Sequence, residues 1–285
     1  IALLTGSWFA SGSSTVERTG FDTSSDSTFS SFQRFETGSS RTVFKMELAT
    51  SPQFRYYRAF AANNTDTSFG EVVALIPEDY NGNVYDEVVI GGQTWLVQNL
   101  RSTYYQNGDT IPRAISNTDW LSPSPCDTVR IGNPPDLGLY TVVDGDSLNT
   151  EIYGLLYNWW VAWDARNACP CGYRPPTQQD FQTLENFVGG NSGSLKSTNN
   201  WNTPNTGATN SSGFTALPSG YRLQWNKNSD GCYTSTLIGD FGIISDFWTS
   251  TEGADNRSGE RFGMNHNSTT LFSGEQRKIG GRSIR

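Results

Sequence analysis

The chain has 285 residues, enough for one large domain or two ordinary ones. Its 28 acidic and 20 basic side chains give a net charge of −8, which argues against nucleic acid and anionic membrane surfaces, since both need clustered Lys and Arg. Only 17% of residues are charged, and Ser, Thr, Asn and Gly fill the gap beside nine Trp, twelve Tyr and sixteen Phe. That mix reads as a loop-rich, strand-rich extracellular protein rather than a cytosolic enzyme. The single histidine, His266, removes most His-based zinc sites and makes any Ser-His-Asp triad depend on that one residue. No apolar run reaches transmembrane length, so no direct membrane insertion is expected. A start at Ile1, without Met or signal peptide, suggests a processed or trimmed product.

Residues 1–77 read as strands. In "TVFKMELA", Phe44, Met46 and Leu48 alternate with Val43, Lys45 and Glu47; "FRYYRAFAAN" and "GEVVALIP" are two further runs. Clusters such as "DTSSDSTFSS" separate them, and short strands with such turns predict a β-sandwich. "PEDYNGN", Pro77 to Asn83, reads as a linker. Beyond it, Val84–Ile90, a Gly91-Gly92 turn and Gln93–Val97 predict a hairpin. "EIYGLLYNWWVAWDA" has the length of a helix and is apolar on nearly every side, so a buried helix is expected. "PTQQDFQTLENFVGG" predicts an amphipathic helix, with Thr177 as N-cap, Asp180 near the capping-box position, Phe181, Leu184 and Val188 inward, and Gly189-Gly190 as the stop. From Trp201 onward the chain reads as loops and short strands.

Two resemblances organise these elements. "LLTGSWFASGSSTVERTGFDTSSD" with "QFRYYRAFAANNTDTSFGEVVAL" resembles the immunoglobulin-like, fibronectin type III-type modules of bacterial surface proteins. On that likeness "IALLTGSW" is the second strand and the first is missing, either cut away or supplied by another chain. The run "GNVYDEVVIGGQTWLVQNL", "YGLLYNWWVAWDARNACPCGYRPPTQQDFQTLENFVGG", "LKSTNNW", "GFTALPSGYR", "FWTSTE" and "GGRSIR" resembles the Fibrobacter succinogenes major paralogous domain over about 82–285. That family is similar to the C-type lectin fold and its formylglycine-generating branch. The likeness implies two helices flanking small antiparallel sheets, long loops carrying a variable surface, and an exported or surface-bound protein. The expected fold is therefore mainly β with an α+β C-terminal domain: an immunoglobulin-like β-sandwich over 1–77 and a C-type-lectin-like domain over 82–285.

The cysteines need their own reading. Cys169 and Cys171 are too close to bridge each other comfortably, and the spacing of Cys126, Cys169, Cys171 and Cys232 is not that of a zinc ribbon or finger. Four cysteines in an apparently secreted chain predict two disulfides, with Cys126 and Cys232 each taking one of Cys169 and Cys171 and the pairing left open. Family members often end in Ser-Val-Arg-Cys, whereas this chain stops at Ser283-Ile284-Arg285, which puts the family's usual disulfide in doubt.

No cofactor is expected. "NKNSDG", Asn226 to Gly231, echoes the front of a calcium loop, but Leu237 stands at the twelfth position, where an acidic ligand belongs. "DGDS", Asp144 to Ser147, is a similar fragment, and the Glu-Pro-Asn, Gln-Pro-Asp and Trp-Asn-Asp signatures of calcium-dependent lectins are missing. The formylglycine-generating likeness raises an enzyme as a third reading. That chemistry needs a reactive cysteine pair near the C-terminus, and no Cys follows Cys232.

The last stretch carries the functional expectation. Trp248, Phe262 and Ile279 read as core. Asn256, Arg257, Arg261, Asn265, His266, Asn267, Thr269, Phe272, Gln276 and Arg277 read as a displayed ligand-binding face, because such side chains supply hydrogen bonds and stacking area. The expected function is non-enzymatic adhesion or ligand recognition at the cell or virion surface, with a cell-surface glycan or protein as partner. The alternative is a filament or virion subunit joined to its neighbours by strand donation through the N-terminal module.

Overall fold

A computed structural model describes residues 2–7, 16–25, 27–37, 43–48, 56–116, 119–120, 138–227, 229 and 233–285. The protein is mainly β, in several antiparallel sheets. Its residues fall into two compact units, the first built on Ile1–Pro77, the second on Glu78–Pro170 and Arg174–Arg285.

The first unit holds β1 (Ala2–Ser7), β2 (Arg18–Ser24), β3 (Gln33–Glu36), β4 (Val43–Leu48), β5 (Tyr56–Ala62), β6 (Thr67–Phe69) and β7 (Val73–Ala74). β1 pairs with β4, and a second sheet runs β3-β2-β5-β6, with β7 joining the same strand as β6. β2 is an interior strand, buried on both faces from Thr19 to Ser24, which is why it shows no alternation. Phe21 and Phe60 are its main apolar fill. "GEVVALIP" forms only the two-residue β7, and Val72, Val73 and Ile76 stay exposed.

The expected linker is an ordered turn. Asp79 is buried; its Oδ1 accepts from the backbone N–H of Asn81 and Asn83, and its Oδ2 from the Tyr85 hydroxyl at 2.7 Å. An Asp that satisfies its own turn in this way rigidifies it. The hairpin follows as β8 (Glu87–Ile90) and β9 (Gln93–Leu96), closed by Gly91 and Gly92 at φ 57° and 82°. Both turn residues sit in the left-handed region that glycine tolerates, so the turn matches the strand twist.

The predicted long helix is replaced by three pieces. After β10 (Tyr140–Val142) come α1 (Thr150–Tyr153), β11 (Leu155–Tyr157) and α2 (Trp159–Trp163). Gly154 breaks the run at φ 73°, where a Cβ would strike Asn99 and the Leu100 carbonyl. β11 then pairs with β10, and Tyr157 exchanges backbone hydrogen bonds with Arg282. Tertiary strand partners outweigh the helical preference of a short apolar run. The amphipathic helix forms as read: α3 (Gln178–Phe187) starts in a full capping box of Thr177 and Asp180.

The C-terminal part holds longer strands than expected: β12 (Tyr221–Lys227), β13 (Tyr233–Gly239), β14 (Ile244–Glu252), β15 (Ser258–Asn265) and β16 (Leu271–Arg277). β12 pairs with β13, and β14-β15-β16 form a three-stranded antiparallel sheet. One face of that sheet, with Phe247, Phe262, Met264 and Leu271, packs on Phe181 and Leu184 of α3 and on Phe214. The Phe181 and Phe262 rings stack at 4.4 Å. The segment 279–285 is buried throughout and threads between these sheets. Its backbone bonds Tyr157, Arg222, Asp246, Trp248 and Leu100. The Arg285 side chain donates to the carbonyls of Leu96 and Phe214 and to Asn99. Trp248, Phe262 and Ile279 are core, as the sequence suggested.

Candidate functional site

The three-stranded sheet has a second face, opposite α3. The register sets Asp246 beside Gly263, Trp248 beside Arg261 and Gly263 beside Phe272. Residues two apart share a face, so Ile244, Asp246, Arg261, Asn265, Phe272 and Gln276 lie on it together. Gly263 makes room there: a Cβ on it would run into the Phe272 ring. Tyr221 and Leu223 of β12 and Arg282 of the threaded segment complete the walls of an open cavity of about 290 Å³.

Asp246 is the polar centre of this cavity. It is 1% exposed, and Arg282 is 2% exposed. Its Oδ2 accepts from Arg282 Nε at 2.7 Å and from Arg261 Nη1 at 3.3 Å. The Arg282 guanidinium lies 4.4 Å from the Trp248 ring, and that of Arg261 4.7 Å from the Phe272 ring. Both planes are therefore held by stacking as well as by charge. Loss of water lowers the pKa of Arg282, against the pull of Asp246. Tyr221 donates its hydroxyl to Asp240 at 2.8 Å, and burial together with that carboxylate pushes its phenol up to about 12.

The ten residues read from the sequence as ligand-binding separate into three places. Arg261, Asn265, Phe272 and Gln276 line the cavity. Asn256, Arg257 and Arg277 sit at one end of the sheet, where Asn256 and Arg257 are exposed and Arg277 pairs with Asp255 at 3.6 Å. His266, Asn267 and Thr269 lie at the other end, in the β15–β16 turn. Lys196 pins that turn from within: fully buried, it donates to the carbonyls of Thr206, Asn265 and Ser268 at 2.7, 3.1 and 2.9 Å. His266 stands against the Asn202 and Thr203 carbonyls through Nδ1, and Thr206 donates its N–H to the His266 carbonyl. The expected single face is thus one cavity flanked by two turns.

Asp246 and Arg282 were missed by sequence reasoning. The available signal was the lone charge inside "IISDFW", since a carboxylate in an apolar strand run needs a buried partner. A second cavity of about 370 Å³ is lined by Arg113, Ile115, Thr141, Arg222 and Ile238 among others. Its buried Arg222 already donates to Thr141 Oγ1 and the Ser116 carbonyl.

Cys169 is buried, and burial pushes its thiol up, which disfavours the thiolate. Cys126 and Cys232 lie outside the described residues, as does most of the "NKNSDG" segment beyond Lys227. Leu237 belongs to β13, paired with Leu223. Asp146 of "DGDS" caps a short turn by accepting from the Leu148 N–H. Among the described residues no group of three His, Cys, Asp or Glu side chains is gathered as metal ligands.

A family model described as the Fibrobacter succinogenes major domain matches residues 88–282. No curated protein and no solved structure matches the chain. The matched span covers the hairpin from Val88 onward, α3 and every residue that lines the cavity, and on that coverage the protein belongs to the Fibrobacter succinogenes major domain family.

Proposed function

We propose that this protein is a non-enzymatic recognition protein acting outside the cell, and that it grips its ligand through the cavity on β14, β15 and β16. The observation that carries the reading is the convergence of Arg261, Asn265, Phe272 and Gln276 with Asp246 and Arg282 around one cavity. Strands hold such groups in fixed geometry, and the mixture of stacking rings, amides and guanidiniums suits recognition of a polar surface ligand. A screen of the full chain against glycan arrays and intact cells, repeated with Arg261→Ala and Phe272→Ala, tests it. Both variants are expected to fold and to lose most of the binding; binding unchanged in both moves the site elsewhere.

A structural role by strand donation has one observation behind it. Among the described residues β1 pairs only with β4, so its second edge offers backbone groups to another chain. A monomeric mass by light scattering across a wide concentration range counts against it.

A further inference from the structure

The walls of the cavity hold three buried polar atoms without a protein partner: Asp246 Oδ1, Arg261 Nε and Arg282 Nη1. Folding normally satisfies such atoms, because each one removed from water and left unpaired is destabilising. All three belong to residues that line the one cavity, and together they describe a ligand by its complement. Two donors ask for two acceptor oxygens, and the carboxylate oxygen asks for a donor. Two guanidiniums against one carboxylate also leave the lining groups with one positive charge in excess.

We propose that the cavity takes a sugar acid, a single ring bearing a carboxylate beside its hydroxyls, with the carboxylate on Arg261 Nε and Arg282 Nη1 and a hydroxyl donating to Asp246 Oδ1. This rests on the reading above that the cavity is the binding site. A carboxylate is the planar acceptor that guanidinium N–H groups match best, and its charge cancels the excess. An amino acid supplies the same donor and acceptors, but its ammonium cancels its own carboxylate and leaves the excess in place. A neutral sugar sets no charge against the guanidiniums. Tyr221 and Phe272 give ring faces for the C–H side of a pyranose. Asn265 and Gln276 have amides able both to donate to and to accept from further hydroxyls. At about 290 Å³ the cavity stands at the small end of ligand sites, the size of one ring rather than of a long chain.

Titration calorimetry on the full chain tests this with D-galacturonate and D-glucuronate against D-galactose and D-glucose. An oligogalacturonide separates a free acid from a unit within a polymer. The acids are expected to bind at least about tenfold more tightly than their neutral parents, and Arg261→Gln to remove about that factor. Arg261, with its side chain 22% exposed, is chosen over the buried Arg282 so that the variant folds, as near-ultraviolet circular dichroism checks. Neutral sugars bound as tightly as the acids, or acid binding untouched by Arg261→Gln, overturn the sugar-acid assignment. So does silence from every acid while the surface screen still loses binding in Arg261→Ala, and in that case the cavity stands as the site. Surface binding untouched by both Arg261→Ala and Phe272→Ala removes the cavity itself.

Discussion

Asp22 in the first unit and Asp246 in the second are built alike: each is a buried strand carboxylate between two arginines, with aromatic rings against the guanidiniums. Around Asp22 both carboxylate oxygens are used. Arg34 clamps both oxygens at 2.7 and 2.9 Å, and Arg58 adds a contact at 3.4 Å. Arg34 lies over Phe60, and Arg58 over Phe29 and Phe69. The pKa of Arg34 is raised, because its bond to Asp22 outweighs its burial. The pKa of Arg282 is lowered, because its burial outweighs Asp246. One cluster is closed upon itself and acts as a rivet; the other leaves an oxygen and two N–H groups of cavity-lining residues without a protein partner. On the binding proposal, the difference separates a charge cluster that stabilises a fold from one prepared for a ligand, although the residue types are the same.

The largest expected effect breaks or keeps this contrast directly. Asp246→Ala strands the buried Arg282 cation and is expected to cost about 3–5 kcal/mol. Asp22→Ala leaves Arg34 and Arg58, 28% and 18% exposed, free to rehydrate, and is expected to cost less, about 1–3 kcal/mol. Urea unfolding measures both, with tryptophan emission for the second unit, which holds every Trp except Trp8, and far-ultraviolet circular dichroism for the first. Equal costs undo the distinction.

A smaller effect is expected at alkaline pH. Tyr221 in the cavity wall keeps its proton up to about pH 12, whereas an unfolded tyrosine loses it near 10. Between about pH 10 and 12 the folded state therefore binds more protons, and stability falls as pH rises through that window. Tyr85, Tyr105 and Tyr157, all held up by burial, add to the same slope. Stability measured across the window should decline less steeply in Tyr221→Phe; an identical slope shows that the phenol is not held as described. The smallest effect is expected for Arg18→Ala. Its pair with Glu36 at 3.1 Å has both side chains about half exposed, and loses less than about 1 kcal/mol by the same urea measurement. A larger loss means that charge in the first unit matters beyond the Asp22 rivet.

Local rules made part of this molecule legible. Thr177 and Asp180 announced α3 three residues apart, and Gly91-Gly92 announced a hairpin between alternating strands. The same rules failed on "EIYGLLYNWWVAWDA", where Gly154 and the pull of Tyr157 toward Arg282 redirected the backbone. For the site, four of the ten expected residues reached the cavity, because their alternation along β15 and β16 was already written in the chain. The other six went to the sheet's two ends, since polarity marks exposure without saying which end of a strand bears it.

The sequence by itself determined the family, the mainly β character and the turns and caps, all of which depend on neighbours a few residues apart. Only the tertiary structure decided that Asp246 would meet Arg282 across 36 positions and Arg261 across 15. That meeting depends on strand register and on a buried threaded segment. A one-residue slip would turn every side chain of β15 to the opposite face, so the cavity exists only once the sheet has chosen its pairing.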